Sequence, residues 1–171
     1  QATVFEKSRF GAAASGATAG VVGPLRHIDR WEKATGQMGL RSLDMFPELA
    51  AELVEAGIDP EFRQTGVLKV ARIPEHAESL HDDLSWQGEL GLGVSWLERD
   101  EVLDREPEIT PEVIGGIFSP REGYVRGERY VASLVQAASR LGGEFLEGEA
   151  YMRANPRPSL IPVPVPQLSV L

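Results

Sequence analysis

At 171 residues, 42% hydrophobic and 25% charged, the chain has the composition of one ordinary globular domain with a core, which excludes a wholly disordered chain. Its formal net charge of -9 argues against a nucleic-acid or anionic-membrane surface, since phosphate contacts need clustered Lys and Arg. The absence of cysteine removes disulfides, thiolate nucleophiles and cysteine-ligated zinc or iron–sulfur sites from this stretch.

The chain opens on a strand-like run, Thr3-Val4-Phe5-Glu6-Lys7, so residues 1–7 are expected to form a buried parallel strand. Residues 8–29 are rich in Gly, Ala and Ser and form a loop that allows a short helix at Ala12 to Ala19. From Arg30 a helical period places Leu40, Leu43, Phe46, Ala50 and Leu53 on one face. Pro47 implies a kink or a fresh helix, and Gly57 stops the run.

Thr65 to Arg72 alternates as a half-buried strand, and Pro74 begins a helix that reaches about Glu89. A strand at Val94 to Leu97 precedes an acidic helical turn at Arg99 to Arg105, which Glu106-Pro107 ends. Val113 to Phe118 reads as a strand ending at Ser119-Pro120, followed by a turn at Glu122-Gly123. Residues 127–141 form a helix with Tyr130, Leu134, Val135, Ala138 and Leu141 on one face, capped by Gly142-Gly143. Glu144 to Glu147 forms the next strand. The tail, residues 153–171, holds five of the twelve prolines and is expected to be polyproline II or irregular. No run approaches the roughly 18 to 20 apolar residues of a membrane span, and a cytoplasmic setting without membrane or nucleic-acid partners is expected.

Glu6 is the leading functional candidate. An acidic residue that ends a hydrophobic strand in a nucleotide-binding α/β unit accepts two hydroxyl hydrogen bonds from a ribose, and small residues after it let the backbone approach a phosphate or flat ring. The blander reading is a solvated Glu-Lys pair before an alanine-rich helix start. The phosphate-binding glycine loop expected about 20 residues upstream of such an acid is not in this sequence. The simplest reading of a chain that starts at Gln1 is a fragment without its first strand and helix.

Other candidates weigh less. Gly91-Leu92-Gly93-Val94-Ser95-Trp96 places Trp where a dinucleotide fingerprint needs its third glycine, and it leads into a strand, so a turn is expected. His76 and His81 are spaced for different helix faces and read, with Asp82 and Asp83, as a solvated helix end. His27 follows the small-residue run and is more economically structural than ligand-facing. The acids Glu98, Asp100, Glu101, Asp104, Glu106 and Glu108 make a wet face. No metal site and no catalytic side chain is assigned.

The order of the runs VFEKSRFGAAASGATAGVVGP, MGLRSLDMFPELAAELVEAG, GVLKVAR, LERDEVLDREPEI, GGIFSPREGYV and RYVASLVQAASRLGG resembles the FAD-dependent D-amino acid oxidase family over about residues 1–150. The resemblance is greatest to its glycine oxidase branch of the thiamine pathway. It implies a mixed α/β chain: part of a Rossmann-like FAD-binding domain, with part of an antiparallel-sheet substrate domain. Residues 1–29 and 126–152 would belong to the first, residues 30–125 to helices plus the second, and 153–171 to the tail. Glu6 and Lys7 match the family's adenosine-ribose residues, and Ala14, Ser15, Ala19, Gly20 and Val21 match its pyrophosphate and flavin loop. Tyr151 falls near a backbone contact to the adenine.

The resemblance further implies oxidation of glycine, a small D-amino acid or a secondary amine by hydride transfer to the flavin, with O2 as acceptor. A quinone-linked dehydrogenase of the same superfamily, or a catalytically incomplete fragment or interaction domain without flavin, are the alternatives. The family's C-terminal portion has no counterpart here, and an incomplete sheet favours association between copies.

Overall fold

The computed structural model describes residues 2–26 and 33–149. The chain is a mixed helix-and-sheet fold with three small sheets among those residues. Strand β1 (Thr3–Glu6) runs parallel to β7 (Glu144–Glu147), with Thr3 opposite Glu144 and Glu6 opposite Glu147. Parallel pairing demands a long crossover, and here nearly the whole chain supplies it. The expectation of a buried first strand is corrected: Val4 and Phe5 are 41% and 47% exposed. A parallel strand is buried only where both sheet faces are covered, and β1 is paired with β7 alone among the described residues.

The second sheet is a short antiparallel ladder of β2 (Val21–Val22) and β6 (Gly123–Tyr124), which the sequence reading rendered as loop and turn. A 3-10 turn at Pro24–Arg26 follows β2. The loop reading of residues 8–20 holds, and the short helix it allowed at Ala12 to Ala19 does not form. Residues 10–18 instead make successive tight turns, with Ala12 N–H donating to Arg9 C=O and Gly16 and Ala17 N–H donating to Ala13 C=O. Interspersed glycines and hydroxyl residues favour turns over helix here.

Helix α1 (Lys33–Glu55) runs through Pro47, so no fresh helix begins there. Buried Leu43 precedes the proline and buried Ala50 and Leu53 follow it, so one apolar face spans the lost hydrogen bond and offsets its cost of about 3 kcal/mol. Phe46 meets Phe62 and Tyr130 at centroid distances of 5.0 and 5.6 Å. Ile58 N–H donates to Leu53 C=O and Gly57 N–H to Val54 C=O, closing the helix where Gly57 was expected to.

The third sheet, β3 (Val67–Ala71), β4 (Ser95–Glu98) and β5 (Gly115–Ser119), is antiparallel with β5 central. Helix α2 (Pro74–Glu89) covers one face, packing Leu80, Ala77 and Leu84 onto Ala71, Ile117, Val94 and Trp96. Helix α3 (Arg99–Arg105) starts with a reciprocal capping box between Glu98 and Glu101 and buries Val102 completely. Its acids stay exposed, as expected of a wet face. The Gly91 to Gly93 segment is a turn into β4.

His81 departs from a simple solvated helix end. It is exposed, yet its ring stacks on Trp96 at 4.0 Å, while the neighbouring Asp83 accepts hydrogen bonds from Lys69 Nζ and Trp86 Nε1.

Helix α4 (Gly127–Arg140) leads into β7, and Gly143 N–H donates to Ala138 C=O at the end of the helix. Its expected face is only partly right. Leu134 is exposed and Leu141, beyond the last turn, is 90% exposed, whereas Ser133 is fully buried. Ser133 tolerates that position because its hydroxyl donates to Tyr130 C=O at 2.8 Å.

Candidate functional site

Glu6 ends β1, and its Oε1 accepts the N–H of Ser8 at 2.8 Å. Its backbone carbonyl accepts the Glu149 N–H, Ser8 C=O accepts the Gly148 N–H, and Glu147 Oε1 accepts the Phe10 N–H at 2.7 Å. The ends of β1 and β7 are thereby tied together, and the Glu6 carboxylate is oriented by the turn it caps. Lys7 follows on an exposed bend.

The small-residue loop lies across the start of α4. A Cβ on Gly127 would collide with the Ser15 carbonyl oxygen and the Thr18 methyl group, so only glycine lets loop and helix approach this closely. Ala14, Ser15, Ala17 and Ala19 face solvent. The N–H groups of Ala14, Ser15, Thr18 and Ala19 donate no hydrogen bond among the described residues. Exposed donors beside side chains no larger than threonine suit the close approach of an anionic or flat ligand.

Gly20 and Val21 are held differently. Gly20 is buried at φ 70° with its N–H on Thr18 Oγ1 and its carbonyl accepting Val125 N–H, and a Cβ there would collide with Val125 O. Val21 pairs with Tyr124, leaving its side chain half exposed. The protein itself consumes the Gly20 backbone donor, so Gly20 and Val21 define the exit of the loop by shape. Tyr151 and His27, with the proline-rich tail, lie outside the described residues.

Thus Glu6, Lys7, Ala14, Ser15, Ala19, Gly20 and Val21 sit on one continuous run from the end of β1 into β2. A cleft of about 370 Å³ opens beside the early part of that run, lined by Arg9, Phe10 and Gly11 together with residues of α4 and β7 that include Glu128, Gln136 and Glu147. None of the seven candidates lines it, and its exposed mixture of one arginine and two carboxylates gives no directed chemistry, so the loop and not the cleft is the candidate site. Sequence reading missed Glu122, Val125 and Gly127, which fix the loop from the far end of the chain. Only the glycines in Glu122-Gly123 and Arg126-Gly127 hint at close backbone contact.

No group of His, Asp or Glu among the described residues could hold a metal ion, and no helix among them is long and apolar enough to cross a membrane.

The chain is similar to several known proteins. A glycine oxidase from Geobacillus kaustophilus is 33% identical over 147 residues, covering 84% of this chain and 38% of that protein. One from Bacillus subtilis is 28% identical over 148 residues, again 84% of this chain and 38% of the relative. The crystal structure of glycine oxidase from Geobacillus kaustophilus superposes with a TM-score of 0.79 at 31% identity, over 85% of this chain and 40% of that one. The chain therefore spans about two fifths of the length of these relatives. Residues 1–157 match the DAO family, FAD dependent oxidoreductase, and the chain belongs to that family.

Proposed function

We propose that residues 6–21 form the ribose and pyrophosphate edge of an FAD site, in a protein that oxidises the C–N bond of glycine, a small D-amino acid or a secondary amine. The observation that carries this reading is the row of unengaged N–H groups at Ala14, Ser15, Thr18 and Ala19, set one loop away from the oriented Glu6 carboxylate in a chain of this family. The donor set fits the group: a carboxylate for vicinal ribose hydroxyls, small side chains for close approach, and amides for phosphate oxygens. Lys7 adds a cation beside the ribose carboxylate, and Tyr151 is assigned to the adenine side on the family pattern.

When bound, FAD supplies the two-electron acceptor for the amine, and O2 then takes the electrons to give hydrogen peroxide. This chain's own contribution is orientation. The loop fixes the cofactor's phosphate end, while β3, β4 and β5 form an antiparallel wall assigned to the substrate side of the molecule. In the domain assignment this favours, residues 1–29 and 126–152 serve the cofactor and residues 30–125 the helices and substrate wall. The decisive assay reconstitutes the protein with FAD and measures peroxide release with glycine, sarcosine and D-alanine. Peroxide with one of these amines is the expected result. Reduction of an artificial dye without peroxide assigns a dehydrogenase instead, and no turnover of any amine by flavin-loaded protein overturns the substrate class.

A further inference from the structure

Glu122 stands out because it is a carboxylate with only 1% of its surface exposed, at a position whose Glu-Gly sequence suggests a surface turn. Burying such a group is costly unless it is paired or hydrogen-bonded. Its Oε1 accepts the Leu25 N–H at 2.8 Å across 97 residues of sequence, and its backbone carbonyl accepts the Gly66 N–H at the entry to β3. The residues after it continue the same seam: Gly123 pairs with Val22, Tyr124 with Val21, and Val125 N–H donates to Gly20 C=O. The exit of the candidate cofactor loop is therefore zipped onto residues 122–125, and the Glu122 carboxylate is the last fastening in the row. The carboxylate also borders a narrow crevice with about 20 Å³ of room, shared with buried Gln87 and with Ser119, whose buried hydroxyl has no partner among the described residues. That room suits a single water of the kind that completes buried polar groups.

We propose that Glu122 is a positioning residue for the cofactor loop: its buried carboxylate locks the Gly23–Leu25 turn and so holds residues 19–22 in the conformation that receives FAD. The inference rests on the cofactor reading above. It differs from a general packing role in what it predicts, because a carboxylate that accepts the Leu25 N–H acts on that turn and on residues 19–22 that lead into it.

The test compares Glu122→Leu, which removes the acceptor at similar volume, with Glu122→Gln, whose amide oxygen can still accept. Amide hydrogen exchange at Leu25 and FAD affinity are both measured on folded protein. Loss of a charge-assisted bond predicts roughly tenfold or greater acceleration of Leu25 exchange in the leucine variant, with FAD binding weakened about tenfold, and changes of about threefold or less in the glutamine variant. Where the leucine variant does not fold, Glu122→Ala takes its place with the same expectation. Leu25 exchange that matches wild type in an acceptor-less variant overturns the fastening. Faster exchange with unaltered FAD affinity and an unaltered flavin absorption spectrum overturns the positioning role and leaves Glu122 merely structural. Wild-type protein that takes up no FAD while Leu25 exchange responds as expected locates the failure in the cofactor reading, and the positioning role falls with it.

Discussion

The antiparallel sheet under α2 and the parallel pair β1–β7 are built from equally ordinary strand residues, yet they end in opposite states. In the sheet, Ala71 and Ile117 are buried beneath Leu80, and β5 is paired on both edges. In the parallel pair, Val4 and Phe5 remain nearly half exposed, and the loop that leaves β1 is made of turns with solvent-facing small residues. The contrast shows a division of labour. Burial is concentrated in the antiparallel sheet, away from the cofactor loop, whereas the candidate site lies on a surface held by hydrogen bonds and close backbone contacts at its two ends, β7 and residues 122–127. Regions that receive ligands are commonly drawn from the less buried part of a fold.

That contrast can be broken by mutation. Ile117→Ala should destabilise the fold by about 2–5 kcal/mol, whereas Val4→Ala should cost less than about 1 kcal/mol, because truncation penalties scale with burial and with the cavity left. Denaturant midpoints measure both, and equal losses would remove the distinction between the two regions. Gly20→Ala forces a side chain onto a left-handed backbone and against Val125 O, for an expected loss of roughly 1–3 kcal/mol. The same denaturant midpoints report it, and a variant as stable as wild type would mean that the seam at residue 20 yields freely.

Glu6→Gln should leave the melting curve within about 0.5 kcal/mol of wild type, since the side chain is near the surface, yet weaken FAD binding about tenfold by degrading the ribose acceptor. Fluorescence titration with FAD checks it, and undiminished affinity would remove Glu6 from the site.

The smallest effect concerns Tyr130, whose phenol is pushed above 10.0 by burial against the aromatic cluster of α1. A phenol raised in the folded state favours folding below the unfolded pKa of 10.0 and loses that advantage as pH rises through the folded value. Stability should thus decline more steeply above pH 10.0 in wild type than in Tyr130→Phe, as thermal melts across that range would show. Parallel pH profiles would mean the phenol ionises as freely in the fold as in the unfolded chain.

Much of this architecture is legible locally. Helix α2 begins at Pro74 because proline suits the first helical turn, α3 is bounded by the Glu98–Glu101 box and Glu106-Pro107, and β7 follows Gly142-Gly143 as a short apolar-centred run. What escapes is what depends on distant partners. Two-residue strands such as β2 and β6 carry no periodicity, and they exist because residues 20–22 and 123–125 meet across the fold. The exposure of β1 depends on which faces are covered, and the burial of Ser133 and Glu122 depends on hydrogen bonds that composition cannot display. Of the candidate site, Glu6 and the small residues were legible because their chemistry is local. The elements that hold them in place, Val125, Gly127 and Glu122, were not, since each is read only through its contact with the loop.

The most direct test of residues 6–21 as an FAD-binding edge is a residue-resolved NMR titration of this chain with FAD, which registers even weak binding. The account predicts saturable shifts at the amides of Ala14, Ser15, Thr18 and Ala19 and at Glu6 and Lys7, with β3, β4 and β5 unmoved. Amide resonances of residues 6–21 that stay fixed at millimolar FAD, or shifts confined to the antiparallel sheet, would contradict it.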